Sequence, residues 1–143
     1  MRFTCPVAVH IFLLKNGRVL LLRRYSTGYQ DGNYSVPAGH LDGNESVTQA
    51  AIREAREEVG IEVEPAALRV VGIMHRMSDR EGVDFFVTAH EWRGQPTNCE
   101  PHKCDELRWA DPQELPANTI PYVRRALENL RNGVFFEEFG WSL

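Results

Sequence analysis

The chain has 143 residues, of which 43% are hydrophobic and 25% are charged, as is typical of one soluble globular domain, here predicted over residues 1–143. The formal net charge of −4 argues against a nucleic-acid polymer as partner, because such a partner requires a basic surface. No apolar run approaches the roughly 20 residues of a membrane-spanning helix, so no membrane partner is expected.

Apolar runs predict six β-strands, in residues 6–14, 18–24, 35–37, 67–77, 82–92 and 107–109. The dipeptide Asn16-Gly17 between the first two runs favours a tight hairpin. The first run is interpreted as a buried strand and not as a signal peptide, because His10 interrupts it and Arg2 is the single basic residue before it. Residues 25–34 have the composition of a loop.

Two helices are predicted. The first begins after Ser46, which can form a capping box with Gln49, and it ends before Gly60. The second covers residues 121–131, and residues 111–115 are predicted to form a capped helical turn. Strands in hairpins, with two helices far apart in the chain, predict an α/β (α+β) fold in which helices pack on a mixed sheet.

The three cysteines are Cys5, Cys99 and Cys104. An odd number of cysteines favours reduced thiols and a cytoplasmic location. A zinc site at Cys99 and Cys104 is disfavoured because no partner pair exists elsewhere, so we expect loop cysteines.

The first predicted helix concentrates carboxylates on one face. At about 100° per residue, Glu58 and Glu57 lie about +40° and −60° from Glu54, so the three share a face. Three anions at this spacing repel each other. A hard divalent cation such as Mg²⁺ removes the repulsion and can bridge to substrate phosphates. The alternative is a solvated helix face on which glutamates pair with arginines.

The segment before this helix has a sterically open backbone. At Ala38 and Gly39 a carbonyl group can approach a metal ion, and Glu45 can brace the loop or the N-terminal amides of the helix. Seven identities define the whole pattern: Gly39, Glu45, Arg53, Glu54, Glu57, Glu58 and Gly60. Such a pattern arises by chance on the order of once in 10^8 windows, which favours a magnesium-phosphate site over a solvated face.

The segment from Gly39 to Ile61 resembles a complete Nudix box, and most of the chain follows the element order of a Nudix domain. The resemblance implies an α/β/α sandwich, with a mixed sheet between helices on both sides. It also implies hydrolysis of a nucleoside diphosphate linked to a group X, with Mg²⁺ as cofactor and Mn²⁺ as a possible substitute. A small-molecule nucleotide or diphosphate is therefore the expected partner.

The resemblance also implies a role for each matched position. Glu57 and Glu58 match the principal metal ligands, and Glu54 matches a ligand that binds directly or through water. The Ala38 carbonyl, beside Gly39, matches the loop that approaches the metal. The remaining positions match an arginine that orients the glutamates, a structural glutamate and the glycine after the helix: Arg53, Glu45 and Gly60.

For site residues outside the box, the resemblance leaves more than one interpretation open. Arg24 is similar to a phosphate-contacting arginine of MutT-type members, with an ordinary strand charge as the alternative. Glu100 is a candidate metal ligand or general base, and Glu106 is its alternative. Tyr122 is a candidate substrate contact, although a core or surface position is its alternative. The same two interpretations apply to three further residues, Phe3, His10 and Phe85.

The box does not determine the group X. Residues 74–79 lack the marks of ADP-ribose and dinucleoside polyphosphate hydrolases, and the coenzyme A signature is absent, so a MutT-like hydrolase of (deoxy)nucleoside triphosphates is favoured. Residues 119–123 lack the paired acids that bind an oxidised base in some members, which counts against 8-oxo-purine specificity. The alternatives are a hydrolase of nucleotide sugars or other organic diphosphates, and a non-catalytic nucleotide-binding sensor. The aromatic, acidic tail over residues 135–141 is expected to cover the core, form a homodimer contact or cap the pocket.

Overall fold

The computed structural model describes residues 1–142, which form eight β-strands and two α-helices. The strands are β1 (Val7–Lys15), β2 (Arg18–Arg24), β3 (Tyr34–Ser35), β4 (Ala38–His40), β5 (Leu68–Met77), β6 (Glu81–Ala89), β7 (Cys104–Ala110) and β8 (Phe136–Phe139). The helices are α1 (Val47–Val59) and α2 (Pro121–Asn132), with a short 3-10 helix at Pro65–Ala67. No helix in this part of the chain is both long enough and apolar enough to cross a bilayer.

Strand β1 lies at the centre of a mixed sheet with the order β3-β2-β1-β6-β5-β8. One edge of β1 pairs in parallel with β6. The other edge pairs with β4 at residues 8–10 and with β2 only at Leu14 and Lys15. Because β4 takes the place beside the first half of β1, β2 diverges from β1 after the hairpin and pairs with β3 and β7 instead. This divergence opens a cleft between β2 and β4.

Side chains of β1 alternate between two faces of the sheet, and a helix covers each face. Val9, Ile11 and Leu13 pack in one cluster with four residues of α1: Ala50, Ala51, Ala55 and Val59. Phe12 packs in the other cluster with Val123, Ala126 and Leu127 of α2. The predicted sandwich, with helices on both sides of a mixed sheet, is therefore confirmed.

The predicted turn and helix ends are also confirmed. Asn16 and Gly17 have positive φ values of 53° and 75°, as a two-residue hairpin turn requires. The Ser46 hydroxyl accepts the Gln49 backbone N–H at 3.1 Å, and the Gln49 side chain accepts the Ser46 N–H at 2.7 Å. Gly60 ends α1 in the left-handed conformation, with φ of 70°.

Two predictions between β6 and α2 were wrong. Cys104 is buried in a strand and is not a loop cysteine, because β7 begins there and pairs with β2 back to Arg24. The strand predicted at residues 107–109 lies within β7 and is confirmed. Residues 111–115 form a turn and not a helical turn. The Asp111 side chain accepts the Gln113 N–H at 2.9 Å, which satisfies this amide locally without a helix.

The aromatic tail contains a strand that the sequence did not predict. Strand β8 adds in parallel to the free edge of β5, because an unpaired strand edge offers backbone donors and acceptors. Phe139 packs against the α2 side of the core, and the Trp141 indole donates to the His75 carbonyl at 2.9 Å. Phe135 and Phe136 remain exposed, and a homodimer contact there stays a prediction.

Candidate active site

A cavity of about 310 Å³ occupies the cleft between β2, β4 and α1. Four carboxylates from α1 and from the loop before β7 line it: Glu54, Glu57, Glu58 and Glu100. Three cations line it as well: Arg23, Arg24 and Lys103. The structure therefore brings the predicted helix glutamates, Glu100 and Arg24 into one cavity, although they are far apart in the sequence.

Glu54 and Glu58 occupy the deeper part of this cavity. Burial raises the pKa of Glu54, although the ion pair with Arg53 opposes this shift. Burial raises the pKa of Glu58 well above its usual range, and the charges of Glu54 and Glu100 add to the effect. The Ala38 N–H opposes this shift by donating to Glu58 Oε2 at 2.8 Å. Burial therefore disfavours the ionised form of both carboxylates, and a nearby positive charge favours it.

Arg53 organises the carboxylates from the side of the helix. Its guanidinium donates to Glu45 Oε1 at 2.7 Å, to Glu54 Oε1 at 2.6 Å and to the His40 carbonyl at 3.2 Å. Glu57 is more exposed, and its Oε2 lies 3.5 Å from Arg53 Nη1. The hydrogen bond from Arg53 lowers the pKa of Glu45 and raises the pKa of Arg53 itself. These contacts support the predicted positioning role of Arg53 and the structural role of Glu45.

Gly39 gives the cavity its close contact between β4 and α1. A Cβ atom at this position would overlap Glu54 Oε1 and lie 2.7 Å from Glu54 Oε2. The carboxylate of Glu54 therefore lies directly against the Gly39 backbone, in space that any side chain would fill. Gly60 has a different role, at the left-handed end of α1.

The structure distinguishes between the two candidates for the general base, Glu100 and Glu106. Glu100 lines the cavity, and Lys103 Nζ lies 3.9 Å from its Oε2. Glu106 is not among the lining residues, and its Oε2 accepts the Tyr34 hydroxyl at 2.7 Å. The structure therefore favours Glu100 over Glu106 as the carboxylate that acts in the cavity.

Arg24 lies at the boundary between this cavity and a second one of about 390 Å³. Its guanidinium donates to the Tyr29 carbonyl at 2.7 Å and to Thr27 Oγ1 at 3.0 Å. The loop over residues 25–33 thus holds the Arg24 guanidinium at the edge of the cavity. Ala38 and Gly39 line both cavities too, so a ligand in the second cavity would adjoin the carboxylates.

Tyr122 lines the second cavity from the first turn of α2. The Arg76 guanidinium lies over its ring, 3.8 Å from the ring centroid, and burial raises the pKa of its hydroxyl. His10 also lines this cavity, whereas the other two aromatic candidates, Phe3 and Phe85, do not.

A buried group that sequence reasoning missed supports this second cavity. We call it the strand charge cluster; it consists of His10 in β1, Arg76 in β5 and Asp84 in β6. Asp84 accepts from His10 Nε2 at 2.8 Å and from Arg76 Nε at 2.7 Å. Burial opposes ionisation of Asp84, but these two hydrogen bonds outweigh it and hold its pKa at about 2. The available indication in the sequence was a titratable residue within each of three apolar runs.

The α1 carboxylates have the chemistry of a divalent metal site. Their oxygen ligands suit a hard cation, and burial raises the pKa values of Glu54 and Glu58, a shift that a bound cation would oppose. Within residues 1–142, no three His, Cys, Asp or Glu side chains stand in position to ligate one ion. Hydrogen bonds from Arg53 and the Ala38 N–H engage the glutamates instead. The oxygen donors and the negative charge of the α1 carboxylates therefore suit a divalent metal ion.

Comparison with known proteins agrees with this geometry. Residues 5–130 match the model of the NUDIX domain family. The 8-oxo-dGTP diphosphatase of Proteus vulgaris is 30% identical over 91 residues, which cover 64% of this chain and 80% of that protein. The NAD-capped RNA hydrolase NudC of Stutzerimonas stutzeri is 33% identical over 110 residues, which cover 75% of this chain but 37% of that longer protein.

A solved structure shows the same fold. The MutT NUDIX hydrolase from Burkholderia pseudomallei superposes with a TM-score of 0.79 at 28% identity, covering 86% of this chain and 95% of that one. The family match spans most of the chain, and four residues of the box line one cavity: Gly39, Glu54, Glu57 and Glu58. The chain therefore belongs to the Nudix family and is a MutT-like pyrophosphohydrolase.

Proposed function

We propose that the chain hydrolyses (deoxy)nucleoside triphosphates to a nucleoside monophosphate and pyrophosphate. Nudix hydrolases generally use a divalent metal ion, and Mg²⁺, with Mn²⁺ as a substitute, suits the all-oxygen donor set here. The proposal rests on one observation above all. Two carboxylates whose burial raises their pKa values, Glu54 and Glu58, share a cavity with the cations Arg24 and Lys103. Such a cavity suits a polyphosphate that arrives with its own metal ion.

The metal would be held by Glu54, Glu57 and Glu58, with the Ala38 carbonyl as a further ligand. A bound divalent ion neutralises phosphate charge and lowers the pKa of a coordinated water. The chain's own contribution is to position these ligands. Arg53 fixes the Glu54 carboxylate, and the Ala38 N–H fixes Glu58.

Glu100 is proposed as the general base. It accepts a proton from the attacking water while the water oxygen bonds to phosphorus, and the bridging P–O bond breaks to release pyrophosphate. Lys103 Nζ lies 3.9 Å from Oε2 of this carboxylate. Residues 25–33 hold the Arg24 guanidinium at the cavity edge, where it is proposed to contact the phosphates.

The base of the nucleotide is proposed to occupy the second cavity, against the Tyr122 ring. This cavity adjoins the carboxylates through Ala38 and Gly39, so one ligand can occupy both. The strand charge cluster fixes the wall behind Tyr122, since Arg76 is tied to Asp84 at 2.7 Å and lies over the ring. A rigid aromatic wall suits stacking of a planar base.

A second candidate substrate is a dinucleotide with a pyrophosphate link, such as NAD. The resemblance to a NAD-capped RNA hydrolase favours it. The net charge of −4 makes a capped RNA chain the less suitable form of such a substrate, because an RNA footprint needs basic surface.

The test is a panel of purified compounds with product analysis in Mg²⁺ and in Mn²⁺. The panel contains the common nucleoside triphosphates, 8-oxo-dGTP, NAD and a nucleotide sugar. We expect a triphosphate to be preferred, with monophosphate and pyrophosphate as products. Preference for NAD would select the second candidate. Nucleotide binding without turnover of any compound would contradict the hydrolase proposal and favour a sensor.

A further inference from the structure

Another cavity, of about 470 Å³, lies at the β1–β2 hairpin and shares no lining residue with the active-site cavity. Trp92 and Trp109 form its aromatic side, and Lys15 and Arg18 form its charged side. Trp109 pairs with Leu20 in β2, whereas the active-site cavity reaches β2 at residues 22–24. At about 3.3 Å per residue, about 13 Å of strand separates Arg18, which lines this cavity, from Leu22, the first β2 residue of the active-site cavity. We call this cavity the hairpin cavity.

The two cations of the hairpin cavity stand directly opposite each other. Lys15 and Arg18 are paired in the β1–β2 register, on either side of the Asn16-Gly17 turn. Like charges at opposed positions of an antiparallel pair destabilise it. Neither side chain forms an ion pair with a carboxylate in the described part of the chain, and both are exposed. The repulsion between the two cations destabilises the hairpin of the protein alone, and a bound anion would relieve it.

The two tryptophans provide an aromatic surface beside this charge. Their rings are nearly parallel, with an interplanar angle of 11° and centroids 6.3 Å apart. Both are half-buried and pack against the α1 side of the core, so the rings are held in place. The Lys15 ammonium lies 5.8 Å from the Trp92 centroid. An anion bound to Lys15 would therefore lie beside an indole face. The phosphate and the base of a single nucleotide can span the distance between the Lys15 ammonium and that face.

We propose that the hairpin cavity is a second nucleotide-binding site, distinct from the site of hydrolysis. The base stacks on the Trp92–Trp109 surface, and the phosphate bridges Lys15 and Arg18. Its volume lies in the range of small-ligand pockets, and no carboxylate lines it, in a chain whose net charge is −4. Two cations suit a small nucleotide, whereas a nucleic-acid strand would need a longer basic surface.

The test is equilibrium binding of AMP, which has no pyrophosphate bond to hydrolyse, to the full chain in chelating buffer. Tryptophan fluorescence in a Trp141→Phe background reports on Trp92 and Trp109 alone, because the chain has three tryptophans. We expect saturable quenching with a Kd on the order of 0.1 to 1 mM. The Lys15→Gln/Arg18→Gln double variant should weaken AMP binding at least about tenfold. Adenosine, which has no phosphate, should bind both proteins equally.

Two controls separate this site from the active site. Lys103→Gln removes a cation of the active-site cavity and should leave the quenching unchanged. The Lys15→Gln/Arg18→Gln variant should retain the rate of triphosphate hydrolysis, measured at low nucleotide concentration. The proposal is overturned if AMP gives no saturable quenching, if the double variant binds AMP as the wild type does, or if Lys103→Gln abolishes the signal.

Discussion

Gly39→Ala is expected to displace a catalytic carboxylate while leaving the fold intact. The new methyl group would overlap Glu54 Oε1 and lie 2.7 Å from Oε2, whereas ordinary contacts begin at 3.4 Å. The Glu54 carboxylate must therefore move by at least about 0.7 Å, and further for Oε1. A misplacement on the order of 1 Å at a catalytic group costs on the order of 100-fold in rate. We expect kcat on the preferred triphosphate to fall by about that factor.

The effect of Gly39→Ala on stability should be small, because the atom it meets is the end of a flexible side chain. Losing the charge-assisted hydrogen bond from Arg53 to Glu54 costs about 1–2 kcal/mol, which lowers Tm by about 3–6 °C. In a Glu54→Ala background, where no carboxylate obstructs the methyl group, Gly39→Ala should cost little further stability.

Gly72→Ala in β5 is the matched control for Gly39→Ala. A Cβ there meets its nearest atom at 3.5 Å, an ordinary contact, so activity and Tm should hardly change. The reasoning is refuted if Gly39→Ala retains wild-type kcat. It is also refuted if the losses of stability caused by Gly39→Ala and Glu54→Ala simply add, because the two residues would then not be in conflict.

Three further predictions concern ionisation and metal binding. Asp84→Asn should lower the free energy of unfolding by about 2 kcal/mol at pH 7, because the folded pKa of Asp84, about 2, is below its ordinary value of 3.8. That contribution is complete above pH 3.8 and is lost as pH falls towards 2, so denaturant titrations of the two proteins should converge there; a constant difference would contradict the assignment. Glu100→Gln should lower kcat by about 100-fold, whereas Glu106→Gln should retain the wild-type kcat; the reverse result would make Glu106 the base. Millimolar Mg²⁺ should raise the Tm of the wild type but not that of Glu58→Gln, as followed by differential scanning fluorimetry; equal shifts would place the metal elsewhere.

The helical part of the site was predictable from the sequence because helix geometry is local. The period of 3.6 residues alone places Glu54, Glu57 and Glu58 on one face, and the cap at Ser46 fixes where the helix begins. The close contact between Gly39 and Glu54 could not be predicted from helix geometry. It depends on β4 pairing with β1, and glycine is a residue that strand propensities disfavour.

Features that depend on pairing between segments far apart in the chain were not predicted from the sequence. The strand charge cluster exists because β1, β6 and β5 lie side by side, and no local pattern specifies that order. Strand β8 is four residues long and pairs in parallel with a strand about 60 residues earlier in the chain, as with Ile73 and Phe136. Glu100 could be proposed from its distance to the next strand, but only its place in the cavity distinguishes it from Glu106.

The most direct test of the account compares turnover of the preferred nucleotide by wild type, Glu58→Gln and Glu91→Gln at saturating Mg²⁺. Glu91 is exposed and lies outside the active-site cavity, so its variant controls for the loss of one negative charge. We expect Glu58→Gln to lower kcat at least about 100-fold and Glu91→Gln to match the wild type. Wild-type turnover by Glu58→Gln would contradict the claim that the α1 carboxylates form the catalytic site.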